Sequence, residues 1–282
     1  EESLDHVILY GPPGLGKTTL ASIIANEMNA SIRYLSGPTL TRSGDVASIL
    51  TTISDGDILF IDEVHRLPRV CEEILYSAME DFALDILIGK GPGARSVRIN
   101  LPSFTLIGAT TRISLLSAPL RNRFGIIEKL DFYNQPDLAT IVIRSAAVMN
   151  ISIDRNASDE IARRSRGTPR IANQILKRVR DFAQYYGKTA IDQVLVKEAL
   201  DCLGIDDMGL NRIDRSLLKI LLEHYHGGPV GINNLAMMLG EDTATVEEVY
   251  EPFLIKIGFL IRTPRGRVIT PQGHQYMRGK KL

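Results

Sequence analysis

Residues 11–18 read Gly-Pro-Pro-Gly-Leu-Gly-Lys-Thr, and this stretch decides the fold. It matches the pattern G-x-x-x-x-G-K-[ST], with an apolar run directly before it and a helical pattern over residues 17–28 directly after it. A Gly-rich loop between a buried strand and a helix is the arrangement of a phosphate-binding P-loop. An isolated Gly-rich turn would require neither neighbour, so the sequence predicts a P-loop.

The chemistry of this loop follows from its residue types. Gly11, Gly14 and Gly16 permit a tight turn whose backbone N–H groups surround phosphate, and the helix N-terminus adds partial positive charge. In such a loop, Lys17 contacts the β- and γ-phosphates of ATP, and the hydroxyl of Thr18 binds Mg²⁺.

Outward from the loop, short apolar runs alternate with helical patterns up to about residue 133. The runs cover residues 6–10, 58–61, 104–108 and 126–130. Continuous apolar runs fit strands buried on both faces of a parallel sheet. With helices predicted at 17–28 and 70–81, the pattern predicts an α/β fold with helices on both faces of the sheet.

Three further segments complete the predicted organisation. Residues 84–102 contain two strand-like stretches around a Gly-rich turn, which indicates an inserted β-hairpin. A helical pattern from residue 136 to about 204 indicates a small all-α lid. Three helices and two short strands after residue 206 follow the plan of a winged helix. We therefore expect domains at 1–134, 135–204 and 205–282.

Composition narrows the function classes. The 282 residues carry no formal net charge, with 33 basic and 33 acidic residues, so any DNA site must be local. Cys71 and Cys202 fit no metal or disulfide pattern, which favours a reducing cytoplasm. No apolar run approaches the length of a membrane span. Because the first strand begins so close to Glu1, we expect the chain to lack an N-terminal segment.

Two strand ends carry candidate catalytic residues. The run at 59–63 ends in Asp62 and Glu63, which would hold the Mg²⁺ shell and polarise the attacking water, respectively. Solvated turn carboxylates are the alternative, which the nearby P-loop disfavours. The strand ending near residue 110 offers Thr111 to the γ-phosphate or the water, although a capping role would also suit it.

Arginines supply the remaining candidate charges. Arg121 and Arg123 precede the last strand, and a guanidinium from a neighbouring subunit would stabilise charge on the transferred phosphoryl group. These residues alone do not separate the two candidates from each other or from a surface ion pair. Arg170 opens a lid helix, from which it would reach the nucleotide; a solvated basic face is the alternative.

The winged helix divides its charge along the sequence. Residues 205–251 hold nine acids against three bases, whereas residues 252–282 hold seven bases and no acid. Because DNA phosphates attract the second set, we expect the wing to hold DNA through Arg262, Arg265 and Arg267 without reading sequence. A basic tail that is merely solvated is the alternative.

Together these motifs resemble the RuvB family of AAA+ ATPases. The resemblance uses residues 11–19, LFIDEVHRL at 59–67, APLRNRF at 118–124, GTPRIAN at 167–173, GPGARSVRI at 91–99 and TPRGR at 263–267. It covers essentially the whole chain and draws on all three predicted domains. The fold that it implies is an AAA+ core, an all-α lid and a C-terminal winged helix.

The resemblance also implies a function and its partners. RuvB proteins form hexameric rings on duplex DNA and use ATP hydrolysis to move Holliday junctions in recombination and repair. RuvA would dock on the hairpin at 84–102, and RuvC would join the larger assembly. Arg123 matches the finger arginine and Arg170 the lid arginine. The implied nucleotide-binding set is Gly11, Gly14, Gly16, Lys17, Thr18, Thr19, Glu80, Asp81, Phe82, Arg123, Tyr133 and Arg170.

Two other functions compete with this interpretation. A clamp-loader-like ATPase shares the P-loop, the acid pair and the finger arginine, but normally lacks the hairpin and the winged helix. A non-hydrolysing regulator would use the P-loop only to sense nucleotide, and the presence of Glu63 argues against it. The resemblance implies an N-terminal stretch that helps to form the adenine pocket, and we expect this chain to lack it.

Overall fold

The computed structural model describes residues 4–88 and 95–279. Its contacts divide the chain into two compact units. The first comprises Glu1–Gly11 and Gly16–Asp131, and the second comprises Pro12–Leu15 and Phe132–Leu282. The predicted boundary between lid and winged helix stays a prediction, because both regions belong to the second unit.

A five-stranded parallel sheet forms the centre of the first unit. Its strands are β1 Val7–Tyr10, β2 Ile32–Ser36, β3 Ile58–Asp62, β6 Thr105–Thr110 and β7 Ile126–Lys129. They lie in the order β2-β3-β6-β1-β7. The four strands expected from apolar runs are confirmed. The edge strand β2 was missed because exposed and half-buried residues replace a continuous apolar run in it.

Both faces of this sheet are buried. In β3, Ile58 and Phe60 pack on the core that includes Ala21 of the first helix, while Leu59 and Ile61 pack on the opposite core. Burial on both faces explains why the strands read as unbroken apolar runs. The helices are α1 Lys17–Glu27, α2 Ser43–Leu50, α3 Arg69–Asp81 and α4 Ala118–Arg121. The two predicted helices are confirmed, whereas the short α2 and α4 were not foreseen.

An antiparallel hairpin interrupts the parallel order, as predicted. Strands β4 Ala83–Ile88 and β5 Arg95–Asn100 pair directly, with Leu84 opposite Ile99. The chain passes from α3 into β4 through Phe82 alone, which takes a left-handed conformation with φ 48°. The predicted turn at residues 89–93 lies outside the described residues.

The lid is a helical bundle with one small strand pair. Its helices are α5 Gln135–Val148, α6 Arg155–Arg164, α7 Pro169–Tyr185 and α8 Gln193–Cys202. Asn134, Asp154 and Asp192 cap three of them with their side-chain oxygens. Strands β8 Ser152–Ile153 and β9 Ala190–Ile191 form a short parallel pair, so the expectation of an all-α lid holds apart from these four residues.

The winged helix follows the predicted order of three helices and a hairpin. It begins with α9 Arg212–Tyr225 and α10 Ile232–Leu239. The third helix comprises α11 Thr243–Thr245, a π-helical turn at Val246–Tyr250 and α12 Glu251–Lys256. The wing is β10 Leu260–Thr263 against β11 Gly266–Ile269, and α13 Pro271–Gly279 follows it. Pro252 accounts for the π-helical turn, because it has no N–H and its ring crowds the carbonyl one turn earlier.

Among the described residues, no helix has the length and apolar character to cross a membrane.

His6 ties three elements of the first unit together just before β1. Its Nδ1 accepts a hydrogen bond from the Leu106 N–H at 2.9 Å, and its Nε2 lies 3.0 Å from the carbonyl oxygen of Met79. Nδ1 must therefore be unprotonated, while Nε2 carries the proton and donates it. Burial lowers the pKa of His6 below its ordinary value of 6.5, although the bond to Met79 and the nearby Asp5 oppose this shift.

This arrangement predicts a pH-dependent stability. Below about pH 6.5 the His6 side chain of the unfolded chain binds a proton that the folded domain does not. The free energy of unfolding should therefore decrease as the pH falls, until the pKa of His6 in the folded protein is reached. Urea unfolding at roughly pH 8 and pH 5.5 measures this change. His6→Gln should reduce the pH dependence, whereas the exposed control His224→Gln should retain it. An equal pH dependence in native protein and His6→Gln would contradict the assignment.

Candidate functional site

The phosphate loop adopts a backbone that requires glycine at its start. Gly11 has φ 144°, and a Cβ there would lie 2.3 Å from the carbonyl oxygen of Leu130. Its N–H donates to the carbonyl of Thr110 at 3.2 Å, which fixes the loop to the end of β6. Gly14 and Gly16 also have positive φ angles of 81° and 94°. Glycine adopts such conformations at little steric cost and allows neighbouring backbone to approach the loop closely.

The N-terminus of α1 is open to an anion. No side chain caps its N-cap residue, Gly16, and no acidic residue stands in its first turn. The first N–H groups of a helix have no partner within the helix, so they are available to phosphate oxygens. Lys17 is buried and its Nζ donates to the carbonyl of Gly11 at 2.9 Å, while Thr18 and Thr19 are exposed.

The acid pair lies at the carboxyl end of β3. Asp62 accepts a hydrogen bond from the Glu63 N–H at 2.9 Å. Glu63 takes a left-handed conformation with φ 49°, and its carboxylate pairs with Arg66 at 3.0 Å. Gly37 permits this turn, because a Cβ there would lie 2.5 Å from the carbonyl oxygen of Glu63. The carboxylate of Glu63 is half-exposed.

The end of β6 lies between β3 and β1. Thr110 is its last residue, and its hydroxyl lies 2.8 Å from Nδ1 of His65. The same hydroxyl accepts a hydrogen bond from the Arg112 N–H at 3.0 Å. The predicted Thr111 follows directly and is half-buried. The link between Thr110 and His65 was missed, because nothing in the sequence pairs residues 45 positions apart.

Arg123 lies at the amino-terminal ends of the strands, opposite to the carboxyl-terminal ends where the P-loop lies. It stands three residues before Ile126, which pairs with Val7 at the start of β1, whereas the P-loop follows the end of β1. Four strand residues separate these ends by about 13 Å. The guanidinium donates to the carbonyl oxygens of Tyr76 at 3.2 Å and Pro119 at 2.9 Å, and to Glu80 at 2.6 Å.

The other candidates near Arg123 differ in setting. Arg121 is exposed at the end of α4. Glu80 pairs with Arg123, and Asp81 pairs with Arg98 at 2.9 Å. Phe82 packs its ring against His6 and Phe104, which precede β1 and β6. The three predicted residues at 80–82 therefore lie at the sheet edge away from the P-loop of their own chain.

In the second unit, the lid residues contact the middle of the P-loop. The Arg170 N–H donates to the carbonyl of Gly14 at 3.2 Å, and the hydroxyl of Tyr133 donates to the carbonyl of Leu15 at 3.4 Å. A Cβ on Gly14 would lie 2.9 Å from both Cβ of Arg170 and Cγ2 of Thr168. Two predicted nucleotide-binding residues, Tyr133 and Arg170, thus adjoin the loop.

Two of the three predicted DNA-binding arginines form ion pairs within the winged helix. Arg267 is buried and its guanidinium lies 2.6 Å from Glu251 and 2.9 Å from Glu247. Arg262 pairs with the same two carboxylates but remains half-exposed. The placement of Arg267 does not support the predicted phosphate contact. The charge count also treated Glu247 and Glu251 as repelling DNA, although the arginines neutralise them.

Arg265 has a different setting. It is exposed at the turn of the wing and lines a cavity of about 410 Å³ together with Asn233, Asn234 and Thr263. These neighbours offer amides and a hydroxyl, which suit phosphate oxygens. Lys280 and Lys281, which contributed to the predicted basic tail, lie outside the described residues.

Comparison with known proteins finds models of one family over nearly the whole chain. The family model for the P-loop domain of the Holliday junction DNA helicase RuvB matches residues 1–130. The models for the RuvB AAA lid domain and the RuvB C-terminal winged helix domain match residues 133–206 and 207–278.

Individual relatives carry the same name. The Holliday junction branch migration complex subunit RuvB of Limosilactobacillus reuteri is 57% identical over 98% of this chain and 82% of its own length. That of Fusobacterium nucleatum is 57% identical over 98% of this chain and 83% of its own. The solved Thermotoga maritima RuvB Holliday junction branch migration motor superposes with a TM-score of 0.89 at 50% identity, covering 98% of this chain and 88% of that one.

Gly14→Ala should damage the loop. An alanine at φ 81° is strained by roughly 1–2 kcal/mol, and its Cβ collides with Thr168 and Arg170. We expect the affinity for a fluorescent ADP analogue to fall about tenfold. Gly44→Ala in α2 is the matched control, because a Cβ there meets no heavy atom within 4 Å. Unchanged affinity in Gly14→Ala would contradict the importance of this contact.

Substitutions of Arg267 and Arg265 should have different effects, the first on stability and the second on DNA binding. Arg267→Ala leaves the buried Glu251 with only the half-exposed Arg262 as an ion-pair partner and should destabilise the winged helix by up to about 3 kcal/mol. Arg265→Ala should leave the unfolding temperature nearly unchanged, yet weaken duplex DNA binding and lower the salt dependence by roughly one ion. Thermal unfolding and DNA titrations at two salt concentrations measure both. A stable Arg267→Ala variant, or unaltered DNA binding in Arg265→Ala, would contradict the respective role.

Proposed function

The chain belongs to the RuvB family of Holliday junction branch migration motors, and we propose how its residues divide the work of ATP hydrolysis. The family assignment carries the ATP-driven motor activity. Within that activity, separate groups of residues bind the nucleotide, activate water and act on a neighbouring copy.

Phosphate binding falls to the P-loop and to α1. The uncapped helix N-terminus, the glycine backbone at Gly14 and Gly16, and the buried Lys17 present N–H groups and an ammonium to the β- and γ-phosphates. Gly11 anchors the loop instead, because its N–H already donates to Thr110. Thr18, an exposed hydroxyl, and Asp62, a carboxylate at a strand end, are hard oxygen ligands of the kind that Mg²⁺ takes alongside phosphates and water. Together these residues fit an ATP–Mg²⁺ complex.

Water activation falls to Glu63, with Thr111 beside it. The carboxylate of Glu63 pairs with Arg66 at the surface, where such a pair contributes at most about 1 kcal/mol. This weak contact leaves the carboxylate free to turn towards a bound water. Thr111, at the end of the strand between β3 and β1, supplies a hydroxyl to the γ-phosphate or the water.

The position of Arg123 carries the proposal that the motor works as a ring. Its guanidinium is held near the amino-terminal ends of the parallel strands, whereas the P-loop follows the carboxyl-terminal end of β1. An arginine fixed there is remote from the nucleotide of its own chain and is presented outward to another copy. A hexamer, in which each copy completes the site of its neighbour, satisfies this geometry. Glu80, Asp81 and Phe82 lie at the same ends of the strands and would face the same neighbour.

The lid and the wing have further proposed roles. Tyr133 and Arg170, which contact the P-loop backbone, would lie near the bound nucleotide and respond to its state. Arg265, supported by the half-exposed Arg262, would hold the phosphates of duplex DNA at four-way junctions.

RuvA is proposed to dock on the hairpin at 84–102, where Val97 is 40% exposed. RuvC would join the larger assembly, and the cytoplasm is the expected compartment for this DNA chemistry. Of the two competing functions, the clamp-loader-like ATPase does not account for the matched winged helix. The nucleotide-sensing regulator does not account for the carboxylate of Glu63.

Mixed assemblies test the action of Arg123 on a neighbour. Arg123→Ala should lower ATP turnover on a synthetic four-way junction by about 10³-fold while ATP binding persists, because only charge stabilisation during phosphoryl transfer is lost. Adding subunits that carry Lys17→Ala and an intact Arg123 should restore turnover. Arg121→Ala is the matched comparison and should remain active. Failure of the Lys17→Ala subunits to restore turnover would contradict the proposal.

A further inference from the structure

The guanidinium of Arg123 is held from three sides. Nε donates to the carbonyl of Tyr76, one terminal nitrogen to the carbonyl of Pro119 and the other to the carboxylate of Glu80. The guanidinium carbon also lies 4.7 Å from the centre of the Tyr76 ring. Tyr76 therefore contacts Arg123 through both its backbone and its ring.

Tyr76 is itself anchored by a partly buried network around the buried carboxylate of Glu72. Its hydroxyl donates to Glu72 at 2.9 Å and lies 3.0 Å from the hydroxyl of Ser117. The Ser117 hydroxyl donates to the same oxygen of Glu72 at 2.6 Å and accepts from the Leu120 N–H at 3.3 Å. Ser117 is the N-cap of α4, the helix that leads directly to Arg123. The network thus fixes both the ring beneath the guanidinium and the chain that carries it.

The residues of α3 that contact Arg123 or anchor Tyr76 lie on the same face of the helix. Glu72, Tyr76 and Glu80 are four residues apart, so they line one face of the helix. The carboxylate of Glu72 is buried, and burial of a charge is unfavourable unless hydrogen bonds satisfy it. An apolar residue would fill the same space without that cost. What the carboxylate adds is a fixed geometry for Tyr76 and Ser117.

We propose that Tyr76, anchored by Glu72 and Ser117, is a positioning residue that holds Arg123 ready for the nucleotide of the neighbouring copy. The inference rests on the proposed action of Arg123 on that neighbour. A guanidinium has five N–H donors, and the three hydrogen bonds to described residues leave two for phosphate oxygens. An arginine that is already oriented needs no reordering when charge develops on the phosphoryl group.

The test separates the subunit that gives the arginine from the subunit that hydrolyses ATP. Donor subunits carry Lys17→Ala and an intact Arg123; acceptor subunits carry Arg123→Ala and an intact P-loop. In mixed assemblies on a four-way junction, turnover then reports the donor's Arg123 acting on the acceptor's nucleotide. Tyr76→Leu and Tyr76→Phe are introduced into either partner. Tyr185→Leu, which changes a tyrosine 83% exposed on the lid, is the matched control.

A positioning role predicts an asymmetric result. Tyr76→Leu in the donor should lower kcat by roughly 10- to 100-fold with KM for ATP unchanged, because misplacing a catalytic group by about 1 Å has effects of this size. The same change in the acceptor should cost at least tenfold less. Tyr76→Phe keeps the ring and loses the anchoring hydroxyl, so turnover with its donor should fall in between. Tyr185→Leu donors should restore turnover fully.

Two outcomes would overturn the inference. Full restoration by Tyr76→Leu donors would show that Arg123 needs no support from this ring. Equal losses in donor and acceptor placements would show that Tyr76 only stabilises the fold. Failure of the parent donors, with native Tyr76, would instead reject the action of Arg123 between copies, so the two proposals fail in distinguishable ways.

Discussion

The direction of the five parallel strands is the constraint on which the rest of the molecule depends. Because all strands run the same way, their carboxyl ends gather the P-loop, Asp62 and Thr111 at one edge of the sheet. The same strand direction places the segment before β7, with Arg123, at the amino-terminal ends of the strands. One chain therefore carries Arg123 and the P-loop charges at opposite ends of its strands. Under the proposed function, assembly of several copies, rather than a change of fold within one chain, would bring these charges together.

Polar networks that contain buried charges provide fixed geometry in each of the two units. At the amino-terminal ends of the strands, Glu72 orients two hydroxyls, and in the winged helix Arg267 joins the third helix to the wing through Glu251 and Glu247. Each network contains charges that would be unfavourable in a core without their partners. Hydrogen bonds have directions whereas apolar contacts do not, so these sites fix orientation where packing alone would fix only distance.

The parts of the site that could be predicted from the sequence are those whose residues lie close together in the chain. A P-loop, an acid pair after an apolar run and arginines before a strand are each recognisable within a few residues. Strand β2 was missed because an edge strand buries too little to show an apolar run. The ion pairs of Arg267 were not predicted, because charge counts cannot tell an exposed guanidinium from one paired across the wing. The contact between Tyr76 and Arg123 joins residues 47 apart, and no single segment carries its signal.

The segment from Arg166 to Arg170 shows how the same logic links the nucleotide loop to the winged helix within the second unit. At one end, the Arg170 N–H holds the carbonyl of Gly14. At the other, Arg166 pairs with Asp214, the buried third residue of α9, and stacks on Phe253 at 5.1 Å. Burial raises the pKa of Asp214, while Arg166 and the hydrogen bond from the Asn211 N–H oppose this shift. Five residues thus connect the P-loop backbone to the winged helix, with a backbone hydrogen bond at one end and a buried ion pair at the other.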